Sequence, residues 1–151
     1  MPEFQPRFAG FEVRIRDSFA RQHFMGLLGA ELSDVGPGFV EIEVPFREAL
    51  TQQHGFLHGG VTASIMDTAC GFSAVSLMEE GTGILTIEFK TNFLATGEGD
   101  RFRFRADVIK PGSTITVSEA KAFAVKDGVE TLFATMTATM MTVKHREAIR
   151  D

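Results

Sequence analysis

Hydrophobic and polar positions change their period along this chain. Phe11, Ile15, Phe19 and Leu27 stand among charges at roughly helical spacing, which predicts an N-terminal amphipathic helix. "AELSDVGPGFVEIEVPF" then reads as a hairpin around VGPG, with Val40, Ile42 and Val44 on one face and Glu41 and Glu43 on the other. A loop over residues 47–58 leads into a run, 61–78, that is apolar or small and carries one charge, Asp67. After Gly81 the period becomes two and stays there. Residues 84–95, 100–112, 113–128 and 129–143 read as four strands joined by TGEGD, KPGS and KDG, each rich in turn formers. Within the second of them Phe102 and Phe104 alternate with Arg101, Arg103 and Arg105.

The order is helix, hairpin, long apolar helix, antiparallel meander, which predicts an α+β fold with a sheet of about six strands. A helix apolar on nearly every side must be covered all round. One sheet covers part of it, so a second subunit is expected to supply the rest, in a dimer at least.

Composition narrows the function. The 151 residues suit one domain, and the net charge of −5 argues against a nucleic-acid binder. Fifteen Phe with no Trp or Tyr indicate large apolar packing surfaces. A single cysteine, Cys70, excludes an intramolecular disulfide and fits a reducing compartment. The first residues lack the continuous apolar stretch of a signal peptide, and the run 61–78 contains Asp67, two threonines and three serines. A cytoplasmic protein with no membrane span is expected.

Asp67 is the anomaly, because burying an unpartnered carboxylate costs several kcal/mol or shifts its pKa. Two glycines, Gly59 and Gly60, open the same helix. Glycine lets a backbone approach a ligand closely, and the first helical N–H groups lack intrahelical acceptors. That end of the helix suits an anion or a developing oxyanion. At about 1.5 Å rise per residue, Asp67 lies roughly 10 Å along the axis from Gly60, too far for one reacting atom to meet both. Two helices antiparallel across a two-fold axis would pair each Asp67 with the other chain's glycines.

"HGFLHGGVTASIMDTACG" resembles the hotdog-fold acyl-CoA thioesterases of the PaaI type, in which a histidine and two glycines precede an acid nine residues after that histidine. His58, Gly59, Gly60 and Asp67 keep that spacing. The resemblance implies a single hotdog domain over residues 1–151, with its core at about 28–143 and a sheet wrapped around the central helix. It implies that Asp67 acts as general base or nucleophile, that the Gly59 N–H polarises the thioester carbonyl, and that His58 supports the loop. Gln52 stands where the family often has an amide that places water or thioester. Thr86 is the nearest match to a hydroxyl on the strand after the helix, and Gly71 replaces a hydroxyl that some members carry. Lys110 and Ser113, in the KPGST turn, are candidates for coenzyme A phosphates, with the arginine face at 101, 103 and 105 as a second candidate. Gly60, Phe56 and Phe89 are expected to contact substrate, with Met66, Phe72 and Phe93 adding apolar lining for an aryl or medium-chain acyl group. The implied partners are an acyl-CoA substrate and further copies of the chain, as a dimer of dimers with active sites at the dimer interface. No cofactor is implied beyond the coenzyme A of the substrate.

Blander readings stand beside these. Asp67 alone could bond a neighbouring backbone group, and His58 alone reads as structural. His54 lies near His58, but no third ligand is at hand for a metal. Cys70 lacks an activating histidine and reads as inert packing, while His23 and His145 read as solvated. The rival functions are a non-catalytic acyl-CoA binding module and a hotdog dehydratase or hydratase. The latter centres on a different histidine motif.

Overall fold

The change of period marks where helices give way to sheet. The computed structural model describes residues 3–151. Two short helices, α1 (Phe11–Ala20) and α2 (His23–Leu28), precede the hairpin of β1 (Glu31–Gly36) and β2 (Phe39–Pro45). A single helical turn at Glu48–Leu50 leads to the central helix α3 (Gly59–Val75). The strands β3 (Gly83–Phe93), β4 (Arg101–Lys110), β5 (Ile115–Lys126) and β6 (Val129–Val143) follow. All six strands form one sheet in the order β1-β2-β4-β5-β6-β3, and every neighbouring pair is antiparallel. The α+β expectation is met, with β3 on an open edge beside β6.

The sheet curls around α3 because its inner face is built of small and large residues in turn. Val40, Ile42, Val44, Phe102 and Phe104 are fully buried. Below the helix the inner face narrows to Ala106, Ala120, Ala122 and Ala138, which lets Ala69, Cys70 and Ser73 of α3 sit close to the strands. The polar groups at this contact are satisfied. The Ser73 hydroxyl donates to the Cys70 carbonyl at 2.8 Å and meets the Ser118 hydroxyl at 3.0 Å. The Ser76 hydroxyl, just past the helix, accepts the Gly38 N–H at 2.7 Å and so ties the hairpin turn to the end of α3.

Three expectations are corrected. The N-terminal helix is broken: Gln22 is extended (φ −78°, ψ 100°), and the chain restarts as α2. The restart rotates the buried stripe from Ile15 and Phe19 to Met25 and Leu28, leaving Leu27 70% exposed. Residues 76–78 lie beyond the helix, which starts two residues earlier than the apolar run. Asp67 is half-buried, because Gly60, Ala63, Ser64, Asp67 and Thr68 form a stripe that this chain leaves partly open.

The arginine face is also consumed locally. Arg101 pairs with Glu43 (2.9 Å), Arg103 with Glu130 (2.7 Å), and Arg105 with Glu41 (3.0 Å) and Asp107 (2.9 Å). Arg103 and Arg105 further stack on Phe123 and Phe39. Each of these cations thus has a carboxylate partner within the sheet, on β2, β4 or β6.

Candidate active site

His58 starts α3 as its N-cap. It is extended (φ −62°, ψ 134°), and its ring Nδ1 accepts the Gly60 N–H at 2.9 Å. Its carbonyl accepts the N–H groups of Val61 and Thr62 at 3.0 and 3.1 Å. The Gly59 N–H is left without a partner among the described residues. Of the two glycines, only Gly59 therefore keeps a free donor at the positive end of the helix. A Cβ on Gly59 would lie 3.2 Å from the Phe93 ring, so the glycine lets that ring rest against the helix start.

The preceding loop folds onto the same place. Thr51 and Leu57 form an isolated bridge, and the Gln52 N–H donates to the Phe56 carbonyl at 2.9 Å. The Gln52 side-chain carbonyl accepts the His54 N–H, and its amide NH2 makes no hydrogen bond among the described residues. Gln52, Phe56, Gly59, Phe93 and Phe133 line a cavity of about 270 Å³.

Asp67 opens onto a different cavity, of about 200 Å³, with Phe72, Ile84 and Thr86 among its walls. The Thr86 hydroxyl donates to Asp67 Oδ1 at 2.7 Å. Burial pushes the Asp67 carboxyl above the usual carboxylate range, and the Thr86 bond partly offsets that. One carboxylate oxygen is thus held while Oδ2 has no hydrogen bond among the described residues.

No residue lines both cavities. Asp67 is eight residues beyond Gly59, about 12 Å along the helix axis. One chain therefore carries an acid beside a cavity of mixed polar and apolar lining and, apart from it, a free backbone donor beside a second cavity.

The remaining candidates divide. Phe56 joins the Gly59 cavity, whereas Gly60 has its N–H engaged by His58. Phe89 is 44% exposed on β3, where its pairing with Ala138 puts it on the helix side of the strand. Lys110 is exposed at the end of β4, and Ser113 lines a cleft with Glu79 and Lys144. Neither lines a cavity with Asp67 or Gly59. Burial raises the Cys70 thiol far above its ordinary pKa and keeps it a neutral packing group. No group of three His, Cys, Asp or Glu among the described residues is arranged to hold a metal, and no described helix is long and apolar enough to cross a membrane.

Two lining residues were not legible in the sequence. Gln22 and Asp151 lie at opposite ends of the chain, yet both border the Asp67 cavity. Neither sits in a motif, and no periodicity links them.

Residues 54–131 match the family model of the thioesterase superfamily. The chain belongs to that superfamily. A thioesterase family protein from Silicibacter pomeroyi has the same fold, with a TM-score of 0.89 and 54% identity over 90% of this chain and all of that one. The PaaI protein of the E. coli phenylacetic acid degradation operon shares the hotdog fold at a TM-score of 0.78, with 19% identity over 88% of this chain and 93% of its own. A 1,4-dihydroxy-2-naphthoyl-CoA hydrolase from Listeria monocytogenes is 27% identical over 126 residues, 82% of this thioesterase and the whole of that enzyme.

Proposed function

We propose that this thioesterase hydrolyses aryl- or medium-chain acyl-CoA, with Asp67 as general base or nucleophile and the Gly59 N–H as oxyanion donor. The observation that carries the reading is the Asp67 carboxylate, half-buried beside a cavity that Phe72, Ile84 and Leu85 share with polar residues, with Thr86 holding one oxygen. Water adds to the thioester carbonyl, the carbon–sulfur bond breaks, and the products are a carboxylic acid and free coenzyme A. In this reading Oδ2, which has no hydrogen bond among the described residues, takes the water proton or attacks the carbonyl. The unpartnered Gly59 N–H suits the oxyanion that forms on the other side. The CoA hydrolase relative from Listeria, matched over its whole length, supports a coenzyme A thioester as substrate.

In this reading the working site is composite. Asp67 and its cavity come from one protomer, and Gly59, Gln52 and Phe56 from another. The separation of the two cavities favours this arrangement, as do the open stripe of α3 and the unpaired edge of β3, where Leu85, Ile87 and Phe93 are 44%, 52% and 55% exposed. Pairing through β3 would cover that apolar edge, which is otherwise an aggregation liability. Lys110 and Ser113 then enter as phosphate contacts from a neighbouring protomer of a larger assembly.

The test is free-thiol release from a panel of aryl, short, medium and long acyl-CoAs. Wild type should turn over at least one, and Asp67→Ala should lose about 100-fold or more while remaining folded. Binding without thiol release would favour a binding module instead. Mixing Asp67→Ala with Gly59→Val, each inactive alone, tests the composite site. Random dimers would recover about a quarter of the wild-type rate, since half are mixed and each mixed dimer has one intact site. No recovery after subunit exchange would place both groups of each site on one chain.

A further inference from the structure

The segment after β6, residues 144–151, turns back across the start of β3 and ends at the Asp67 cavity. Its seat is specific. The Asp151 carboxylate accepts the Ile84 N–H at 2.8 Å and the Ser18 hydroxyl at 3.2 Å, while the Asp151 N–H donates to the Thr82 carbonyl at 3.2 Å. Arg14 of α1, itself only 9% exposed, anchors the assembly. Its Nε donates to the Asp151 carbonyl at 2.7 Å, and its other nitrogens reach the Glu79 carbonyl at 2.9 Å and the Thr82 carbonyl at 2.5 Å. The strand beneath is cut to fit. A Cβ on Gly83 would lie 2.6 Å from the Ile149 carbonyl oxygen, so only glycine lets the segment pass this close.

We propose that this segment is a strap that closes the far end of the acyl cavity and sets its length limit, with Arg14 as the positioning residue. The inference rests on the thioesterase reading with Asp67 at the reacting end. Thr86 holds Asp67 and Ile84 holds Asp151, and the two lie two residues apart on β3, about 7 Å along the strand. The strap therefore stands about one short acyl group away from the carboxylate, and Phe72 and Ile84 line the same cavity. A cavity of about 150 Å³ takes a benzene-sized guest, so the 200 Å³ here suits one ring or a chain of about six to eight carbons. Beyond that length an acyl group meets Asp151, whose carboxylate is already committed to Ser18 and Ile84.

The experiment is a profile of kcat/KM against straight acyl chain length, from two to fourteen carbons, for wild type and three variants. Asp151→Ala removes the carboxylate, Arg14→Lys weakens the anchor, and Gly83→Ala lifts the strap sterically. Each should move the optimum to longer chains, and each methylene that gains cover should improve kcat/KM by about fourfold. A role in stability alone would lower every chain length in proportion and leave the optimum unchanged, which overturns the proposal. So does a wild-type profile that keeps rising to fourteen carbons, and this readout needs no variant to fold. Absence of thiol release from any chain or ring by wild type would instead overturn the thioesterase reading on which the strap depends.

Discussion

Thr86 reaches across the gap between β3 and α3 to hold Asp67 Oδ1 at 2.7 Å, so the edge strand and the central helix share one carboxylate. Burial favours the neutral acid, and the hydroxyl favours the anion. That balance sets the pH at which the carboxyl ionises.

Thr86→Val should shift activity toward alkaline pH. A base or nucleophile must be ionised, so kcat/KM falls on the acid side through the pKa of Asp67. Removing the donor leaves burial unopposed and raises that pKa. The acid limb of a pH–rate profile should move to higher pH, with a several-fold loss in rate at pH 6 that shrinks at pH 8. An unmoved limb would mean that another group controls it.

Asp67→Asn should stabilise the fold near neutrality. A carboxyl with a raised folded pKa binds more protons native than unfolded, so stability falls as pH rises from the ordinary carboxylate value through the raised one. The amide has no such penalty. Its melting temperature should exceed that of wild type at pH 7, with a gap that narrows as pH falls below the carboxylate range. Thermal unfolding at a series of pH values reads this directly.

His58→Ala should cost stability through the cap. Losing an N-cap acceptor is worth about 1 kcal/mol, or about 2–4 °C in a chain of this length. His58→Asn, which can accept the Gly60 N–H, should restore most of that. If Ala and Asn unfold alike, the Nδ1 contact contributes nothing to stability.

Gly59→Ala should lower kcat/KM by about tenfold without unfolding the protein, because a Cβ 3.2 Å from the Phe93 ring displaces the donor by tenths of an ångström. The double variant Gly59→Ala/Phe93→Leu gives that methyl room and should recover several-fold. Equal rates in the single and double variants would show that the clash with Phe93 is not the cause.

The sequence by itself determined most of the elements and singled out the two groups proposed for the chemistry. Period two after Gly81 specified four strands, because a strand with one buried face must alternate, and Phe102 and Phe104 are indeed fully buried. The lone acid and the glycine pair stood out because burial makes a charge conspicuous, and a free helix start makes a glycine useful. The break at Gln22 was less legible: it depends on a single backbone turn, and the charges around it suit either one helix or two. Only the tertiary structure decided that Thr86 meets Asp67, that the arginine face pairs with carboxylates of the same sheet, and that Gln22 and Asp151 border the acid's cavity. Those are contacts between residues distant in sequence, and their register follows from how the sheet curls around α3. Local pattern records which face a residue presents and does not record what it meets there.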